Sequence, residues 1–285
     1  MQRFYLPLAI LLLAVSSPTA AAQTSRSAVD YTNRAMARFA NGDLDGAIAD
    51  FDIAIVYDPS YAAAFYNRGR AQHDKRNLDE AIADYTKAIA LEPRYAPAYN
   101  NRCAALQEKG DLEEAIADCN RAIEIKPLLA EAYLNRGNVR HLKGDLDGAL
   151  ADFSKAIDIN PRLAGSYYNR GNARYNKGDL DGAISDYDRS IKINPRQVEG
   201  YCNRGAARRA RGDIEGAIAD YTTAIELNPS HAPAYLNRGL ARMLQGKLAK
   251  AKVDFEECLK LDRSLEPLME ERIETIKRQL ELKRQ

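Results

Sequence analysis

Asparagine followed directly by arginine recurs at a constant step of 34 residues: Asn33-Arg34, Asn67-Arg68, Asn101-Arg102, Asn135-Arg136, Asn169-Arg170, Asn203-Arg204 and Asn237-Arg238. An aspartate follows each arginine by 16 residues, at Asp50, Asp84, Asp118, Asp152, Asp186, Asp220 and Asp254. Two chemistries are on offer. A guanidinium taken partly out of water needs a carboxylate, because an unpaired buried charge is costly. Arginines that each arrive with their own aspartate therefore read as structural ion pairs, and less well as an array for anionic ligands. The asparagine amide carries two N–H donors and an acceptor oxygen, so it can pair with a peptide backbone whatever the side chains of that peptide. Asparagine is also a poor residue for the middle of a helix. A cost accepted in every unit implies a compensating use. Either the amide binds a ligand backbone, or it bonds a neighbouring helix and sets a stacking angle; both can hold together.

The remaining reactive side chains are few. His73 and His141 stand at equivalent places two units apart, and His231 stands in a loop; no metal-ligand spacing links them. Cys103 and Cys119 are spaced to lie on facing helices, where they can bond or act as small apolar fillers. Cys258 replaces a core alanine. The chain contains no G-x-S-x-G, no P-loop and no G-x-G-x-x-G, and its carboxylates recur as caps and pairs rather than as one isolated dyad. No catalytic residue, cofactor or metal site is expected, and the chain reads as non-enzymatic. Its 285 residues hold 41 Lys+Arg against 40 Asp+Glu, and 46% are hydrophobic. That is a folding composition, and its near-zero net charge argues against wholesale nucleic-acid binding.

The elements that position these residues follow from the same period. Prolines fall at 59, 93, 127, 161, 195 and 229, and Ala47, Ala81, Ala115, Ala149, Ala183, Ala217 and Ala251 keep the step. Seven units result, over 28–61, 62–95, 96–129, 130–163, 164–197, 198–231 and 232–265. Position 1 is the first residue of each unit. A period of this size means stacked supersecondary units. In the fourth unit the pattern predicts one helix over Glu131–Lys143, a Gly144 stop, an Asp145 cap and a second helix over Asp147–Ile159 before Pro161. The second helix carries an apolar stripe that one unit cannot bury alone, so stacking must bury it. A last helix is expected over 266–283, capped by Ser264, with Met269, Ile273, Ile276 and Leu280 on one face. Segment 266–285 is expected to close the open end of the stack.

The N-terminal segment carries a different message. Arg3, the apolar run Phe4–Val15 and Ala20-Ala21-Ala22 have the order of a secretory signal peptide. Its predicted extent is 1–22, followed by a lead-in at 23–27. The run is too short for a spanning helix, so a secreted or periplasmic protein without membrane insertion after cleavage is expected.

Each unit opens with an aromatic residue at position 4, from Tyr31 to Tyr235, and places a small residue four later; the first six close on proline, and Arg263 stands at that place in the seventh. This resembles the tetratricopeptide repeat (TPR) family over residues 28–265. The resemblance implies an all-α solenoid of seven helix-turn-helix repeats in a right-handed superhelix, ended by a capping helix. It also implies that positions 2, 5, 6, 9, 12 and 13 face a concave groove. The position-6 asparagines then form a ladder similar to that of some tetratricopeptide superhelices. Asn138, Asn172, Tyr66, Tyr168, Tyr175, His73 and His141 join them, and Cys202 faces the same groove as a free thiol. Leu236, Leu240, Met243 and Leu244 make the C-terminal end apolar, as packing under the last helix would require. The family's carboxylate clamp lacks its lysines here. Arginine replaces the usual leucine at position 7, which needs an electrostatic account. The expected function is a scaffold that binds an extended peptide or a partner helix. The alternative is a structural subunit of a cell-envelope complex that docks or self-associates through convex or terminal surfaces.

Overall fold

The computed structural model of the protein describes residues 18–282. Among them every regular element is helical, and the chain divides into two compact units, up to Asp111 and from Leu112. The first unit holds α1 (Pro18–Ala40), α2 (Leu44–Tyr57), α3 (Ala62–Asp74), α4 (Leu78–Leu91) and α5 (Ala96–Lys109). Each helix packs on the next, and α1 also meets α3 as α3 meets α5. The second unit holds α6 (Leu112–Ile125), α7 (Ala130–Leu142), α8 (Leu146–Ile159), α9 (Ala164–Asn176) and α10 (Leu180–Ile193). It continues with α11 (Val198–Arg211), α12 (Ile214–Leu227), α13 (Ala232–Leu244), α14 (Leu248–Leu261) and α15 (Glu266–Leu282). Here too successive helices pack together from α6 to α14, and α7, α9, α11, α13 and α15 touch one another in series. That series is the signature of a solenoid, in which each repeat contacts only its neighbours.

Two local rules build each repeat. At position 8 the first helix crosses the residue at position 24 closely, so the residue there is small, and in five repeats it is a glycine whose approach to a ring leaves no room for a side chain. A Cβ on Gly171 would stand 2.7 Å from Tyr187 Cε1, and one on Gly137 would stand 2.6 Å from Phe153 Cε1. The rings they meet, Phe153 and Tyr187, are fully buried. Between the helices, position 15 takes a left-handed backbone, supplied by Gly42, Gly110, Gly144, Gly178, Gly212 and Gly246. In the second repeat Arg76 occupies that place at φ 66°, the one non-glycine residue with positive φ among the described residues. The next helix starts where Asp43, Asp145, Asp179 and Asp213 accept a hydrogen bond from the N–H three residues on. Such caps contribute about 1 kcal/mol each.

At the N-terminus the structure extends the first helix upstream of the first repeat, and at the C-terminus it departs from the expected cap. The helix α1 begins at Pro18, so residues 23–27 are part of it and so is the end of the predicted signal segment; residues 1–17 lie outside the described residues. Ser264 does not cap α15. It sits within a 3-10 turn, Arg263–Leu265, where Asp262 accepts bonds from the Ser264 N–H at 2.9 Å and hydroxyl at 2.7 Å. The tighter turn moves the cap two residues upstream. The α15 face is as expected: Met269 and Ile276 are buried and Ile273 and Leu280 pack beside them. Residues 283–285 of the expected closing segment lie outside the described residues.

Candidate functional site

Position 7 explains why arginine stands where leucine is usual. Arg170 donates through Nε to Asp186 Oδ2 at 2.9 Å and through a terminal nitrogen to Oδ1 at 2.7 Å. Its third nitrogen reaches Ser154 of the preceding repeat at 3.0 Å, and its plane lies 5.8 Å from the Tyr167 ring centre. One side chain thus ties its own two helices together and bridges to the previous repeat. The same bidentate pair joins Arg34 to Asp50, Arg68 to Asp84, Arg136 to Asp152, Arg204 to Asp220 and Arg238 to Asp254. Arg102 stacks on Tyr99 and donates to Thr86 Oγ1 at 2.8 Å. Asp118 is buried. With their donors spent in this way, these arginines are poor candidates for an anion-binding array.

The sequence reading missed two companions of this pair. Position 11 supplies a second arginine, and Arg140, Arg174, Arg208 and Arg242 each donate to the same buried aspartate at 2.7 to 2.9 Å. The second repeat has Gln72 there and the third has Leu106. Burial pushes the Asp84 carboxyl up, whereas the Arg34 guanidinium holds Asp50 below the usual carboxylate range. The second companion is a surface ladder from position 14 to position 18 of the preceding repeat. It runs Lys75–Asp45, Lys109–Asp79, Lys143–Glu113, Lys177–Asp147 and Arg211–Asp181, then Gln245 to Glu215. The signal lay in the sequence as opposite charges 30 residues apart, but only stacking shows that they meet.

The asparagines of position 6 are half-buried except Asn33, which is exposed. Several use their amide across the repeat boundary. In the first unit Asn101 Nδ2 donates to the Tyr66 hydroxyl at 3.2 Å, whereas Asn67 bonds the Ala63 carbonyl in its own helix at 2.8 Å. In the second unit Asn169 Nδ2 donates to Asn138 Oδ1 at 2.6 Å. Asn203 Nδ2 donates to Asn172 Oδ1 at 2.9 Å and to the Tyr168 hydroxyl at 3.0 Å. Arg272 of α15 reaches Asn237 Oδ1 at 3.3 Å. Asn135 is half-buried on α7. The amide nitrogens therefore serve the stacking role weighed for this ladder, while Oδ1 of Asn169 and Asn203 accepts no bond among the described residues.

The second unit gathers part of this face into a pocket of about 280 Å³, lined by His141, Asn172, Tyr175, Asn176, Asn203 and Ala206, with Tyr187 behind them. Tyr187 donates to Asn172 Oδ1 at 2.8 Å. His141 Nε2 lies 2.8 Å from Asn176 Nδ2, and burial pushes the imidazole pKa down, so the neutral ring accepts that bond. In the first unit His73 Nε2 lies 3.1 Å from Glu108, which also pairs with Arg76. Arg70 lies 4.9 Å from the Phe39 ring centre and donates to Asn67 Oδ1 at 3.2 Å. The structure brings His141, Tyr175, Asn172 and Asn203 together, and Tyr168 joins them through its bond to Asn203.

Other expected groove residues are covered. Leu236, Leu240 and Met243 are buried with Met269 and Ile276, so the apolar end of the groove is the core under α15. Cys202 is a free thiol but not a groove surface: it is 7% exposed, and burial pushes its pKa up to about 12. The N-terminal residues of the next repeat close over position 5, and His231 Nδ1 comes within 3.9 Å of the sulfur. His231 itself caps α13 by accepting the Ala234 N–H at 3.2 Å. Cys258 is a buried free thiol in the core, and Cys103 and Cys119 are each disulfide-bonded. Among the described residues no group of His, Cys, Asp and Glu is arranged to hold a metal ion, and no helix is long and apolar enough to cross a membrane.

Sequence models of tetratricopeptide repeats match residues 32–100, 96–127, 137–178, 171–208, 205–246 and 232–265. The chain belongs to the tetratricopeptide repeat family. No curated protein matches it. Among solved structures it is similar to a tetratricopeptide repeat protein from Parabacteroides merdae, at 22% identity and TM-score 0.65, covering 88% of this chain and 99% of that one. It is also similar to PilF of Pseudomonas aeruginosa, at 18% identity and TM-score 0.67, covering 79% and 99%. A third is YrrB, described as a tetratricopeptide repeat protein with an unusual peptide-binding site, at 24% identity and TM-score 0.53, covering 63% and 92%. At these identities the likeness concerns the fold.

Proposed function

We propose that the protein is a non-enzymatic scaffold that holds an extended peptide along the first helices of its repeats, with the asparagine amides reading the peptide backbone. The observation that carries this is the pairing geometry of Asn169 and Asn203. Asn203 Nδ2 gives both its N–H groups and Asn169 Nδ2 one of its two to the preceding repeat, and their Oδ1 atoms accept nothing among the described residues, which leaves one backbone-type acceptor in each of these two repeats. Tyr175, about one-third exposed, supplies an aromatic surface beside them. The peptide-binding site named for YrrB makes the use familiar on this fold. The N-terminal segment is proposed to direct export, so the partner would be met in a periplasmic or extracellular space.

Head-to-tail self-assembly is the second reading, and the surface ladder speaks against it. The first repeat has Asn41 at position 14 and the last has Ala249 at position 18, so two stacked copies would find no charge pair to continue the ladder. The test of the leading reading is selection from an immobilised library of extended peptides. Enriched peptides should lose at least tenfold in affinity for the Asn135→Ala/Asn169→Ala/Asn203→Ala protein, measured where circular dichroism shows it folded. Undiminished binding to that variant would refute backbone reading by the ladder.

A further inference from the structure

The pocket on α9 and α11 can be read atom by atom, and this extends the peptide-scaffold reading on which it rests. Asn172 Oδ1 already accepts two bonds, from Tyr187 and Asn203. Its Nδ2 is the donor in no hydrogen bond to another side chain or carbonyl among the described residues beyond an approach to the Tyr168 hydroxyl, so at least one N–H is left over. Asn203 Oδ1 accepts nothing among the described residues, and neither does Asn176 Oδ1, whose amide partner Nδ2 donates to His141. The pocket therefore presents a donor and acceptors on neutral amides, beside the small wall of Ala206. No Asp, Glu, Lys or Arg lines it.

We propose that this pocket binds a side-chain carboxamide, so that peptides held by the second unit carry glutamine or asparagine over α9 and α11. A carboxamide has a C=O for the spare N–H of Asn172 and an NH2 for the free Oδ1 atoms. A carboxylate would meet those acceptor oxygens, and the one histidine in the lining, His141, is held toward its neutral form by burial, so no cation offsets the carboxylate's desolvation at neutral pH. A lysine would enter with no anion to receive it. An apolar side chain would cover the amide atoms and leave them without water, and sites built to hydrogen-bond a ligand reject analogues that lack the group.

The test uses 15N-labelled protein, following the side-chain NH2 signals of Asn172, Asn176 and Asn203 during titration with three small probes. These are N-acetyl-glutamine methylamide, N-acetyl-glutamate methylamide and N-acetyl-norleucine methylamide. The glutamine probe should shift those signals with a Kd in the millimolar range, as suits a ligand of this size. The other two should be at least tenfold weaker. In Asn172→Ala the response should vanish while backbone signals outside α9–α11 stay in place. Equal or tighter binding of the glutamate or norleucine probe would overturn the assignment, as would shifts that map elsewhere or none with the glutamine probe. Library peptides that lack both amide residues, yet bind the second unit through its asparagines, would overturn this inference and leave the scaffold reading standing.

Discussion

Replacing Asp186 by asparagine should destabilise the α9–α10 repeat far more than replacing Asp181 on the neighbouring surface. The Asp186 side chain is 4% exposed and accepts three charge-assisted bonds, two from Arg170 and one from Arg174. Such bonds contribute about 1.5–3 kcal/mol each in favourable cases. The Arg170 and Arg174 side chains keep 17% and 30% of their exposure, so water recovers part of the loss. A cost of about 3 kcal/mol is therefore expected, at the low end for breaking a buried pair. Asp181, paired with Arg211, is 81% exposed, and its replacement should leave the unfolding midpoint within error. The assay is urea unfolding followed by far-ultraviolet circular dichroism, with amide exchange to localise the loss. Because repeats contact only their neighbours, protection should fall first in α9 and α10. A variant with Arg170→Met, Arg174→Met and Asp186→Leu should recover most of the stability, since apolar side chains of similar size impose no desolvation. Equal effects of Asp186→Asn and Asp181→Asn would refute this account of the buried cluster. So would a triple variant no more stable than Asp186→Asn.

Two further outcomes are expected. Arg76→Gly should raise the urea midpoint, because an L-residue in the left-handed region costs about 1–2 kcal/mol and the Glu108 pair it forfeits lies at the surface; a lowered midpoint would show that the pair outweighs the strain. The His141 imidazole is held below its ordinary value of 6.5, so the unfolded chain binds the proton more readily. Its contribution is complete above that value and is lost as pH falls toward the lower folded pKa. His141→Gln should therefore narrow the difference in melting temperature between about pH 7 and about pH 5. An unchanged difference would show that other groups carry it. Asp50, held below 3.8, acts in a lower window and does not confuse that comparison.

The repeat architecture was legible in the sequence because recurrence at 34 residues exposes what every unit needs. The fourth repeat shows how far this goes: helices expected over Glu131–Lys143 and Asp147–Ile159 are found at Ala130–Leu142 and Leu146–Ile159. The pairing of position 7 with position 23 was legible for the same reason, since both residues lie within one unit and antiparallel helices bring them together. Groove exposure was not. Cys202 and Tyr168 both stand at position 5, yet one is covered by the next repeat and the other lends its hydroxyl to Asn203. Recurrence reports position along a unit, and it is silent about what the adjoining unit places there.

Sequence alone thus determined the helices, their turns, the seven repeats and the internal ion pairs, because each depends on residues near one another along the chain. The tertiary structure decided which donors and acceptors remain. The charge ladder between repeats, the bonds that the asparagine amides make across repeat boundaries and the neutral pocket at Asn172 all depend on stacking. Stacking brings together side chains about 30 residues apart, and a hydrogen bond made there removes an atom from the groove. What the groove can offer a ligand is what stacking leaves unpaired.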